Sequence, residues 1–205
     1  MRVWFAEDFA ADLEQSLRAF AAREPRLNAL RRFKYRHLLR IGARDLLGDA
    51  DLSVTTEELA RLADTCLAEA WRMAEAEARA RYGAPLDDEG QPSGLAVIGM
   101  GKLGGEELNY SSDIDLMFVY GAEGDTAGGP EGRLANGEYF ARVCRDLVAI
   151  IESVTDEGHV FRVDLRLRPS GRVGAVALSL DGFRTYHRER AFSRACRSHS
   201  SARSR

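Results

Sequence analysis

Through the first eighty residues apolar side chains recur every three to four positions, the period of a helix that buries one stripe. Phe9, Leu13, Leu17 and Phe20 mark a first helix over residues 8–23. Leu27, Leu30, Phe33, His37, Leu38 and Ile41 mark a second from about Arg26, with Gly48 placed as its C-terminal cap. A third opens at Thr55, where Thr55-x-x-Glu58 has the form of a capping box. It runs through Leu59, Leu62, Cys66, Ala70 and Met73 until Gly83 and Pro85 end it.

The period then changes. Residues 85–93, "PLDDEGQPS", form a polar, turn-rich linker. Residues 95–98 and 114–120 are short apolar runs that predict strands, separated from a helix over 134–154 by a loose Gly-rich loop at 121–132. Residues 160–169, "VFRVDLRLRP", alternate: Phe161, Val163, Leu165 and Leu167 face one way, Arg162, Asp164, Arg166 and Arg168 the other. The expected class is α+β: a helical segment over 1–84, then a module over 94–187 with a small mixed sheet and flanking helices. Residues 188–205, ending "RAFSRACRSHSSARSR", have no apolar period and are expected to be disordered.

Composition narrows the function classes a little. The formal net charge of −3 offers no reason to expect nucleic acid as a partner. No apolar run approaches the roughly 20 residues that span a bilayer, so no membrane is expected. Cys66, Cys144 and Cys196 are far apart and odd in number, which predicts reduced thiols and a cytoplasmic location.

The chemistry concentrates in "GMGKLGGEELNYSSDIDLMFVY", residues 99–120. Gly99, Gly101 and Gly104 match the dinucleotide pattern G-x-G-x-x-G after a strand, and Glu123 lies about twenty residues on. That reading fails on length: only residues 106–110 have room to be helical before Ser111-Ser112 and the next strand. Asp113 and Asp115 fit another chemistry. Two apart in a strand, they project to one face while Ile114 and Leu116 enter the core. Paired carboxylates repel unless a cation sits between them, and oxygen-only ligands suit Mg²⁺ or Mn²⁺. Gly104 and Gly105, at the start of the short helix, would let phosphates approach the backbone, with Lys102 adding charge. Asp164 is the candidate third carboxylate, with Arg162 and Arg166 beside it to neutralise it or bind phosphate oxygens. Its bland alternative is a salt-bridged exposed strand face.

Weaker candidates remain. His37, His159, His187 and His199 show no ligand spacing and no evident carboxylate neighbour. Arg31, Arg32, Lys34, Arg36, Arg40 and Arg44 read as a solvated helix face. Tyr110 and Ser111 are candidates for contact with a base or ribose, or are loop filler.

Gly-Gly, then Asp-Ile-Asp, then a later strand aspartate resembles the DNA polymerase β-type nucleotidyltransferase superfamily. "GMGKLGGEELNYSSDIDLMF" with "FRVDLRLRPSGRVG" is similar to the glutamine synthetase adenylyltransferase family, and "LRRFKYRHLLRIGARDLLG" resembles its preceding helical segment. The resemblance covers residues 27–187. It implies a polymerase β-like nucleotidyltransferase module and Mg²⁺-dependent (or Mn²⁺-dependent) transfer of AMP to or from a tyrosine of glutamine synthetase. Asp113, Asp115 and Asp164 take the metal-carboxylate positions, Gly104 and Gly105 the phosphate-loop positions, with Lys102, Ser112 and Arg166 as further nucleotide contacts. Family members carry two such units, one attaching AMP from ATP, the other removing it with phosphate as ADP, under the PII signalling protein. This chain's wording is closer to the removing unit; the attaching unit, a small-molecule nucleotidyltransferase and an inactive regulatory fragment are the alternatives. The family continues after His187 with a Trp/Glu-containing helix, so the Ser/Arg-rich end is expected to be truncated or out of frame.

Overall fold

A computed structural model describes residues 2–169 and 174–189. Three helices come first: α1 (Ala6–Leu17), α2 (Arg23–Leu46) and α3 (Leu52–Tyr82). The periodic residues form their buried seams, with Phe9, Leu13 and Leu17 from α1, Leu30, Phe33 and Ile41 from α2, and Leu59, Leu62, Cys66 and Ala70 from α3. Gly48 (φ +73°) follows α2 as expected. The start of α3 differs from the sequence expectation. It begins three residues before Thr55, and Thr55 is buried inside the helix. Glu58 faces away from any helix start: it accepts the Trp4 N–H at 2.7 Å and pairs with Arg40 and Arg44. A long-range demand for a buried carboxylate overrides the local capping motif.

Four strands follow in a mixed sheet built around β2 (Ile114–Tyr120). On one side β1 (Leu95–Met100) runs antiparallel to it, Met100 opposite Asp115. On the other side β3 (Val163–Asp164) and β4 (Ala177–Ser179) both run parallel to β2, at its start and its end respectively. The antiparallel β1–β2 pair rules out a dinucleotide unit, which needs a parallel pair joined by a full helix. The expected strand over 160–169 shrinks to two residues. Asp164 Oδ1 accepts the Arg166 backbone N–H at 2.7 Å, which turns the chain and ends the ladder, leaving Leu167 54% exposed. The expected helix over 106–110 is also absent; the single turn α4 (Gly101–Gly104) comes five residues earlier.

Helix α5 (Asn136–Glu152) buries Tyr139, Phe140, Val143, Leu147 and Ile151 beneath the sheet and packs along α3. Side chains from both halves of the chain join one hydrophobic cluster. The 121–132 loop is not loose: bridges tie Thr126 to Pro85 and Asp125 to Ala135. At Gly83 (φ +81°) a side chain would meet the Gly128 carbonyl at 2.4 Å, so the end of α3 and this loop touch backbone to backbone.

The basic face of α2 is mostly not solvated. Arg31, Lys34 and Arg44 are buried. Arg31 donates to the Gly158 and Ser153 carbonyls at 2.9 and 2.7 Å, closing the C-terminal end of α5. Among the described residues no helix is long and apolar enough to cross a membrane. Cys66 and Cys144 are free and buried, and burial pushes both thiols well up; Cys196 and His199 lie outside the described residues. Residues 180–189 are helical, taking in the first two of the expected tail, and the rest of that expectation, 190–205, lies outside them too.

Candidate functional site

The sheet brings three carboxylates to one end. Asp115 is the second residue of β2, and its neighbour across the parallel pair is Asp164 on β3. Asp113 precedes the strand by one residue, so it and Asp115 project to the same face. Asp164 is brought to the aspartate pair across the chain because β3 pairs with the first two residues of β2. Asp115 is half-buried, and its carboxyl is held above the usual range by burial first, then by the charges of Asp164 and Asp113.

Arginines answer the outer two. Arg162 Nε donates to Asp113 Oδ1 at 2.5 Å, and its Nη2 donates to the Ser111 carbonyl at 2.6 Å. Arg166 Nε donates to Asp164 Oδ2 at 2.7 Å, which raises the guanidinium's already high pKa further. Asp113, Asp164, Arg166, Arg168 and Glu152 line a cleft of about 450 Å³. A larger cavity of about 840 Å³ between α1 and α3 touches none of these carboxylates and is lined by small and apolar residues interleaved with charged ones.

On the other side of Asp115 stands α4. Gly101 has φ +55°, and a side chain there would come within 2.9 Å of Asp115 Oδ2. Gly101, read in the sequence only as part of the dinucleotide pattern, thus stands against Asp115 with no room for a side chain. Gly104 and Gly105 end the helical turn rather than start it. A side chain at Gly104 would lie 2.5 Å from the Gly99 carbonyl, so this glycine answers to chain packing, whereas at Gly105 the nearest atom is 3.5 Å away, an ordinary van der Waals contact. Lys102 is exposed on α4 and Ser112 half-buried just before Asp113; neither lines the 450 Å³ cleft.

Three further expectations need correction. Arg162 serves Asp113 rather than its strand neighbour Asp164. Tyr110 faces α2, with its hydroxyl on Asp45 Oδ2 at 2.9 Å and its ring against Gly42, so it is a clamp on the loop. His37 does have a carboxylate beside it: its Nε2 donates to Asp12 Oδ2 at 2.8 Å, while Nδ1 faces the Arg40 Nε–H at 3.3 Å. Glu152, in the last turn of α5, was missed altogether. It accepts the Val163 N–H at 3.0 Å and anchors β3 from outside the sheet, a role no local pattern announces.

As a donor set, three carboxylates suit a hard divalent cation. Among the described residues, however, no three His, Cys, Asp or Glu side chains stand close enough to hold one as they are placed. The set fits in kind, and the cage closes only if the arginines release Asp113 and Asp164.

The sequence model of the glutamate-ammonia ligase adenylyltransferase family matches residues 4–197. A bifunctional glutamine synthetase adenylyltransferase/adenylyl-removing enzyme of Thioalkalivibrio sulfidiphilus is 40% identical over 182 residues, 89% of this chain and 19% of that protein. The protein of the same description from Burkholderia pseudomallei is 43% identical over 158 residues, 77% of this chain and 17% of its own length. The chain thus spans about a fifth of the length of the curated relatives it matches.

Proposed function

The chain belongs to the glutamate-ammonia ligase adenylyltransferase family, and from that membership we propose that it forms one nucleotidyltransferase unit, moving AMP to or from a tyrosine of glutamine synthetase with Mg²⁺ or Mn²⁺. The direction we infer is removal, on the wording of residues 99–115. The observation that carries the reading is the placement of Asp115 beside Asp164 across β2 and β3, with Asp113 two residues before.

A divalent cation at these carboxylates would supply charge stabilisation for phosphoryl oxygens. The chain's own residues do the rest. In the removing direction an oxygen of inorganic phosphate attacks the AMP phosphorus, the bond to the tyrosine oxygen breaks, ADP leaves and the phenol regains its proton. Asp164 orients or deprotonates the attacking phosphate, and Arg166, once a cation takes Asp164 from it, offers a forked donor to the phosphate oxygens. The turn at Gly101 keeps side chains off the mouth, and Lys102 adds a point charge beside it. ATP or ADP, phosphate and glutamine synthetase are the partners on this reading, and the PII protein acts through the longer enzyme.

The test incubates the chain with adenylylated glutamine synthetase, phosphate and Mg²⁺ and follows ADP by chromatography. ADP release is expected. Pyrophosphate from ATP with unmodified glutamine synthetase, and no ADP from the first reaction, would assign the attaching direction instead.

A further inference from the structure

Arg162 is fixed by its backbone and loose at its tip. Its carbonyl accepts the Ile114 N–H at 2.9 Å, which pins it to the first residue of β2. Its guanidinium spans the turn before that strand, on Asp113 Oδ1 and the Ser111 carbonyl. Yet the Arg162 side chain is 60% exposed and that of Asp113 48%. Water screens such a pair, so it is weak and exchangeable.

The local charge makes the exchange consequential. Among these five side chains the three carboxylates outnumber the two guanidiniums, Arg162 and Arg166, by one negative charge. That field repels a phosphate. One divalent cation turns it to one net positive charge, and a cation on Asp113 expels the guanidinium by like-charge repulsion. The freed fork stays tethered at the start of β2, and a forked donor suits phosphate oxygens.

We propose that Arg162 is a positioning residue that holds Asp113 in the cation-free chain, yields it to a divalent cation, and then receives the anionic phosphate group at the same mouth. The consequence is an order of binding, cation before phosphate. This rests on the metal reading of the site given above.

The test titrates Mn²⁺ alone into the 205-residue chain and its Arg162→Gln and Arg162→Lys variants, by calorimetry and by electron paramagnetic resonance of free Mn²⁺. Inorganic phosphate is then titrated with Mn²⁺ present. Arg162→Gln is expected to bind Mn²⁺ about fivefold tighter, which is ~1 kcal/mol, and to lose most Mn²⁺-dependent phosphate binding. Arg162→Lys, which keeps the charge without the fork, is expected to recover part of the phosphate binding. A merely structural arginine would instead weaken both ligands when removed. Mn²⁺ affinity unchanged or weaker in Arg162→Gln overturns the inference while leaving the metal site standing. Phosphate binding unchanged in that variant overturns the hand-over. Absence of Mn²⁺ binding by all three chains overturns the metal reading itself.

Discussion

The same residue types do opposite work at the two ends of this chain. Between α1, α2 and α3 the carboxylate of Glu58 is fully buried, pairs with Arg40 and Arg44, and takes the Trp4 N–H as well. At the mouth of β2 and β3, Asp113 pairs with Arg162 at the surface and Asp164, itself largely covered, pairs with the exposed Arg166, both beside a third carboxylate. Burial is the difference. A buried pair cannot be broken without stranding a charge, so it is architecture. An exposed pair exchanges partners at little cost, so it can serve a site.

The contrast is broken most directly at Glu58. Glu58→Gln leaves Arg44, 2% exposed, without a counter-charge, and is expected to destabilise the chain by about 3–5 kcal/mol in a urea titration. A loss below about 1 kcal/mol would show that the helical network is as exchangeable as the mouth.

Next comes Arg31→Met, which takes its donor from the Ser153 carbonyl and leaves the Gly158 carbonyl only its contacts with Thr155. The expected loss is about 2–3 kcal/mol, with hydrogen exchange accelerated first at the C-terminal end of α5. Uniform acceleration across the chain would mean that Arg31 does not act as a local clamp.

Two adjacent glycines sharpen the comparison further. Gly104→Ala places a methyl 2.5 Å from the Gly99 carbonyl and is expected to cost about 1–3 kcal/mol of stability. Gly105→Val meets only ordinary contacts at its Cβ, the nearest 3.5 Å away, and is expected to change the melting temperature less than Gly104→Ala while blocking ATP and ADP binding by calorimetry. Nucleotide binding intact in folded Gly105→Val would remove Gly105 from the site.

The smallest effects on stability are expected at the mouth and at one histidine. Asp113→Asn is expected to shift stability by no more than ~0.5 kcal/mol and to weaken Mn²⁺ binding in the same sample; unchanged Mn²⁺ binding would sink the site. His37 is buried against Trp4, Phe9 and Phe33, and burial lowers its pKa despite Asp12. Its folded pKa lies below the unfolded one, so the unfolded chain binds the extra proton first and stability rises with pH through that window. The contribution is present above about pH 6.5 and is lost as pH falls through the folded pKa. His37→Gln is expected to flatten that acid slope in pH-dependent melting curves; an unchanged slope would assign it to other groups.

Much of this was legible in the residues because it is periodic. The stripes Phe9–Leu13–Leu17 and Leu30–Phe33–Ile41 and the run 114–120 needed only the geometry of a helix and a strand. Asp113 and Asp115 could be read as a pair for the same reason. Thr55-x-x-Glu58 misled because a capping motif is local, whereas Glu58 is claimed by residues 14, 18 and 54 positions away.

What the sequence by itself determined was the long helices, the strands near 95–98 and 114–120 and the aspartate pair, since these rest on spacing within short windows, while the family was carried by the resemblance of whole motifs. What tertiary structure alone decided was partnership. Strand pairing put Asp164 beside Asp115, and Glu152 was brought to β3 by the packing of α5. The turn at Arg166 cut an alternating stretch down to two ladder residues. Arg31 and Arg162 look alike as letters, yet one is sealed beneath a helix end and the other stands half in water on Asp113. The reason is that dielectric environment is a property of the fold: a charge carries no mark of its burial until other parts of the chain close over it or leave it open.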